Sequence, residues 1–114
     1  MKIDSYSFGR MTIGGREYTS DLIICNRQVH DNWWRKTSHK LSLEDIKAFL
    51  YNTPEVLVVG NGKFGLMKVQ KDLINYCESS SIELIVQKSE VASETYNELV
   101  NRRKHILAAF HLTC

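Results

Sequence analysis

A single proline, Pro54, and only six glycines punctuate the 114-residue chain. No Gly/Ser-rich or Pro-rich linker divides it, and no segment repeats or falls into low complexity. One domain spanning 1–114 is therefore expected, β-rich over 1–41 and alternating between helix and strand over 42–114. Cysteine is scarce as well. Cys25, Cys77 and Cys114 are odd in number, far apart and form no CxxC pair, which fits free thiols in a reducing cytosol and not a disulfide framework. No apolar run approaches the ~20 residues of a membrane helix, and Met1-Lys2-Ile3-Asp4-Ser5-Tyr6 lacks the apolar core of a signal peptide. A cytoplasmic protein with no membrane contact is the expectation. Neither sign of charge dominates: 15 basic against 13 acidic side chains leave a net +2, too small an excess to argue for nucleic acid without local clustering.

The chain is 43% hydrophobic, enough for a core that needs no metal or disulfide to close. Arg10-Met11-Thr12-Ile13 and Glu17-Tyr18-Thr19-Ser20 flank Gly14-Gly15, a pair that supplies the positive φ of a tight hairpin. Asp21 to Cys25 reads as a buried strand, and residues 26 to 40, which have no period, as a loop. Ser42 with Asp45 three residues on is a capping-box variant, and Leu43, Ile46, Phe49 and Leu50 then share one helical face. Val56-Leu57-Val58-Val59 lacks polar alternation, as a strand covered on both faces does. A glycine-rich loop from Gly60 to Gly65, an extended Leu66-Met67-Lys68-Val69, a helix over 71–80, a strand over 82–86, a helix capped by Ser89 or Ser93 and a strand over 106–112 complete the order. That order predicts an α/β three-layer sandwich with a largely parallel or mixed central sheet and an N-terminal β-hairpin extension.

Two stretches are candidates for a working surface. Gly60-Asn61-Gly62-Lys63-Phe64-Gly65 matches G-x-G-x-x-G directly after a buried strand, the place where backbone N–H groups meet a pyrophosphate in dinucleotide-binding folds. The helix that should open inside the motif is missing, however, and Gln87-Lys88 stands where a ribose-binding acid is needed. Lys63 could still meet an anion there. The second stretch, Trp33-Trp34-Arg35-Lys36-Thr37-Ser38-His39-Lys40, holds both tryptophans beside basic residues. In an extended segment adjacent side chains point to opposite sides, so one indole packs inward while the other lines a groove or partner surface. Trp and Arg are enriched at binding hot spots. The bland alternative is a loop pinned by buried tryptophan. The basic run Arg102-Arg103-Lys104-His105 complements a helix C-terminus. His111-x-x-Cys114 has no second ligand pair for zinc. No cofactor, metal or catalytic set is expected, and Cys25 and Cys77 read as inert core thiols.

Taken together, Ser7-Phe8-Gly9-Arg10-Met11, Tyr18-Thr19-Ser20-Asp21, Trp33-Trp34-Arg35, His39, Leu41-Ser42, Glu55-Val56-Leu57-Val58-Val59-Gly60, Gly62, Gly65, Tyr96-Asn97 and His111-Leu112-Thr113 carry a resemblance over nearly the whole chain. It resembles the small domain of unknown function shared by the adipogenesis-associated domain protein and mitochondrial complex I assembly factor three, with stand-alone bacterial and archaeal members. The resemblance implies a three-layer α/β fold with an N-terminal β-rich extension. It brings no catalytic residue, and its mitochondrial branch acts through protein contacts. Without an Arg-rich, Ser-rich transit segment, that mitochondrial role is not carried over.

The expected function is a non-catalytic protein-interaction or assembly-factor-like module with a protein partner; homo-oligomerisation is left open. The alternative is a small anionic ligand or substrate held between the Gly60–Gly65 and Trp33–His39 loops, with Arg35, His39 and Lys63 as anion-binding groups and His39 as an acid or base. Nucleic-acid binding, through stacking and phosphate contacts at the Trp loop, is the weaker alternative.

Overall fold

The computed structural model describes residues 1–102 and 105–114; Arg103 and Lys104 of the basic run lie outside the described residues. At the centre is a mixed five-stranded sheet. Its strands are β4 (Leu22–Cys25), β5 (Gln28–His30), β7 (Val56–Asn61), β9 (Glu83–Gln87) and β10 (Ile106–His111), in the order β5-β4-β10-β7-β9. β7 pairs in parallel with β10 and β9, while β4 and β5 are antiparallel. Two helices, α2 (Lys71–Ser79) and α3 (Ser89–Asn101), connect the parallel strands.

The unbroken apolar runs mark strands buried on both faces. Val56 and Val58 of β7, with Ile106, Ala108 and Phe110 of β10, pack under Ala92 and Tyr96 of α3. Leu57 and Val59, with Leu107 and Ala109, pack under Leu73 and Cys77 of α2 on the other face. Each fully buried aliphatic side chain contributes roughly 1.5–3 kcal/mol. The parity of each strand therefore feeds two cores, and the molecule has three layers.

The N-terminal extension is larger than the expected hairpin. β2 (Arg10–Ile13) and β3 (Arg16–Tyr18) flank the Gly14-Gly15 turn, in which both glycines have positive φ. A further strand, β1 (Ile3–Ser7), pairs with β2. Its register shifts between Ile3 and Ser5. Ile3 and Tyr6 are three apart and would face opposite sides of a regular strand; across the bulge both pack against the core beneath α3. That irregularity hid the strand from a period-two reading.

Residues 26 to 40 are also more ordered than a loop. Asn26 and Arg27, with φ of 52° and 60°, turn β4 into β5. The short β6 (Lys40–Leu41) pairs in parallel with β8 (Lys68–Val69). Helix α1 (Leu43–Ile46) runs into a 3-10 turn over Lys47–Phe49. Its capping box forms, with the Asp45 carboxylate accepting from the Ser42 N–H at 3.0 Å and the Ser42 hydroxyl at 2.9 Å. The cap of α3 is Lys88 and neither of the expected serines. Ser89 is buried inside the first turn, where its hydroxyl donates to the His111 carbonyl at 2.6 Å and accepts from the Gly62 N–H at 2.9 Å.

Candidate functional site

Strand pairing sets the site. Leu22 of β4 lies opposite Phe110 of β10, so Asp21 and His111, one residue further on each strand, meet at the sheet edge. His111 Nδ1 is 2.8 Å from Asp21 Oδ2. The other carboxylate oxygen accepts from the Leu112 backbone N–H at 2.8 Å. Arg35 completes the cluster: Nη2 is 2.8 Å from Asp21 Oδ2 and 3.2 Å from His111 Nδ1. Nε and Nη2 also donate to the Ser38 carbonyl. The ion pair is largely buried, with side-chain exposures of 4% for Arg35 and 17% for Asp21. Burial opposes ionisation of Asp21, but the hydrogen bonds from His111, Leu112 and Arg35 together outweigh it and hold the carboxyl below its ordinary range.

An ionised Asp21 can only accept, so His111 Nδ1 donates to it. His111 Nε2, Arg35 Nη1 and Asn61 Oδ1 are buried without a partner among the described residues. Asn61 is the register partner of His111 on β7.

The Trp loop lies over this cluster. The Trp33 N–H donates to the Asp21 carbonyl at 3.0 Å, and its indole Nε1 donates to the Asp45 carbonyl at 3.0 Å. The indole packs on the core beneath α2, and the Arg35 guanidinium sits 4.7 Å from its centre. Trp34 points the other way and keeps 84% of its surface exposed. An open cleft of about 320 Å³ runs between Ser20, Asp21, Asn32, the two indoles, Arg35, Ser38 and His111.

The glycine loop is on a different side of His111. Gly60 lies within β7, where an added Cβ would sit 2.5 Å from Phe110 and 2.9 Å from Ser89. Gly62, at φ +105°, leaves room for the backbone of Cys114 and the His111 ring. The N–H groups of Lys63 and Leu66, which a phosphate would need, donate to the carbonyls of Thr113 and Cys114 at 2.6 and 3.0 Å. The chain's own segment 113–114 fills the cradle. Lys63 is exposed and Gly65, at φ +72°, turns the loop; neither lines the cleft. His39 is exposed and sets its ring edge-on to His111 at 5.6 Å, outside the cleft lining. Of the sequence candidates, Trp33, Trp34 and Arg35 thus share one concavity. Gly62 and His39 touch its His111 wall from behind, and Gly60, Lys63 and Gly65 stand apart.

Asp21, His111 and Asn61 are the polar residues that sequence reasoning missed as a group. Their one signal is position, since each closes or opens an apolar strand. Among the described residues, no group of three or more His, Cys, Asp or Glu side chains converges as metal ligands. Nor is any helix there long and apolar enough to cross a membrane.

The family model described as "Protein of unknown function (DUF498/DUF598)" matches residues 3–111. The chain belongs to that family. A DUF498/DUF598 assignment agrees with the resemblance carried by the sequence blocks, and the solved structures agree with the fold. A conserved hypothetical protein of Pyrococcus horikoshii OT3, PH1505, is 30% identical, with all of both chains covered and a TM-score of 0.88. A structure named MT938 is 24% identical over 99% of this chain and 98% of its own, with a TM-score of 0.82. A Bordetella pertussis protein described as an Mth938-like domain is 14% identical over 97% of this chain and 85% of its own, with a TM-score of 0.77. The last two share the fold.

Proposed function

We propose that this member of the DUF498/DUF598 family is a non-catalytic protein-interaction module of the assembly-factor kind, with Trp34 at the centre of its contact surface. The exposure of Trp34 carries the reading: its neighbours Trp33 and Arg35 are locked into the fold, while Trp34 keeps 84% of its surface in solvent. An indole on a rigid base is a low-entropy anchor of the type that dominates interface energies. The cleft beside it, about 320 Å³, has room for a partner side chain. Its one cation is already neutralised, because Arg35 is paired with Asp21. The test is affinity capture from host cells with wild type and Trp34→Ala. A partner held by the wild type and lost by a folded variant supports the reading. Unchanged capture by the variant, or no partner at all, defeats it.

A small anionic ligand in the same cleft is the second reading. The Arg35 Nη1 donor, buried at its wall with no partner among the described residues, favours it. Thermal-shift screening against metabolic anions separates the two, since a ligand at 100 times its Kd adds about 2.7 kcal/mol of stability.

A further inference from the structure

The end of the sheet opposite Trp34 holds a second cavity, of about 400 Å³, walled by Asn26, Arg27, Glu55, Tyr96, Val100 and His105. Its entrance residue stands in an unfavourable conformation. The two-residue turn between β4 and β5 puts both Asn26 and Arg27 at positive φ. Asn-Gly is the pair such turns favour, because a Cβ crowds the left-handed region. Arginine at the second position therefore costs conformational energy, and what it gains is a guanidinium beside the cavity. Arg27 makes no ion pair among the described residues.

Tyr96 also lines the cavity. The residue is only 1% exposed, and its hydroxyl makes no hydrogen bond to any described residue. Arg27 and Tyr96 line the same cavity; burial raises the Tyr96 pKa, and the charge of Arg27 offsets part of that rise. The remaining walls are fixed. The Glu55 N–H donates to the His105 carbonyl, and the His105 N–H donates to the Glu55 carboxylate, both at 2.9 Å. Val100 of α3 supplies an apolar side.

We propose that this cavity binds a small monocarboxylate, its carboxylate on Arg27 and the Tyr96 hydroxyl and its apolar body on Val100 and the Tyr96 ring. The apolar wall sets the preference: an anion with an apolar body gains contacts with Val100 and the Tyr96 ring that hydrogen phosphate does not make.

The experiment is a ¹⁵N-NMR titration with sodium butyrate, sodium phosphate and sodium chloride at matched ionic strength. Butyrate should give saturable shifts at the amides of Arg27, Tyr96, Val100 and His105 that chloride does not reproduce. Tyr96→Phe keeps the ring packing and should weaken butyrate roughly tenfold or more, the loss of one hydrogen bond to a charged group. Arg27→Gly should abolish those shifts while its thermal midpoint equals or exceeds that of the wild type, because glycine relieves the turn. The proposal is overturned if butyrate produces no saturable shift at tens of millimolar, if either variant binds as the wild type does, or if phosphate binds more tightly than butyrate.

Discussion

Asp21 accepts from an arginine, a histidine ring and a backbone N–H, so replacing it strands a buried guanidinium. Asp21→Ala should cost about 3–5 kcal/mol in urea denaturation, the penalty of breaking a buried pair by removing one partner. The same contacts set an acid limb. The folded-state pKa of Asp21 is depressed, so its contribution is full above the unfolded carboxyl value of about 4 and is lost as pH falls through the folded value. The urea midpoint of the wild type should drop between roughly pH 5 and pH 2, and Asp21→Asn should flatten that limb. The two tryptophans divide differently. Trp34→Ala should leave stability within about 0.5 kcal/mol. Trp33→Ala removes a half-buried indole, its hydrogen bond to Asp45 and its stack on Arg35, and should cost roughly 2 kcal/mol or more. At this scale the sequence exposed the aromatic loop and concealed what lies beneath it. Trp33-Trp34-Arg35 is unusual wherever it occurs. Asp21 and His111 become partners only because two strands 90 positions apart pair antiparallel, and no local pattern encodes that.

Among the elements, those that follow a regular period were legible and those that break one were not. The capping box at Ser42, the Gly14-Gly15 turn and the doubly buried β7 all follow local rules. β1 escaped because its bulge shifts side-chain parity, and β5 because its turn uses Asn-Arg where Asn-Gly is the recognisable pair. The literal G-x-G-x-x-G motif has a packing origin. Gly60 and Gly62 make room for Phe110, Ser89 and the backbone of Cys114 and not for a nucleotide. Substitution can rank the glycines. Gly62→Ala meets the Cys114 backbone at an unfavourable φ, whereas Gly65→Ala meets nothing closer than 3.5 Å and bears only its φ of +72°. Thermal unfolding should show about 1 kcal/mol lost at Gly65 and clearly more at Gly62.

For the molecule as a whole, β10 is the keystone. It lies between β4 and β7, contributes to both cores and receives His111 into the Asp21 cluster. Amide exchange should therefore be slowest in β10 and β7 and faster in the edge strands β5 and β9. Equal protection across all five strands would contradict this. The alternation of helix and strand from residue 42 revealed the layered architecture, but not the insertion of the last strand between β4 and β7. That insertion has a consequence for synthesis. A ribosome emits β4, β7 and β9 well before β10, and those strands cannot form the native sheet without the strand that separates β4 from β7. The nascent chain must carry exposed valine- and isoleucine-rich segments until residues 106–114 emerge. Its folding is then a single late closure and not a stepwise accretion, and an arrest peptide fused at increasing distances downstream should register one abrupt force event once residue 114 has cleared the exit tunnel.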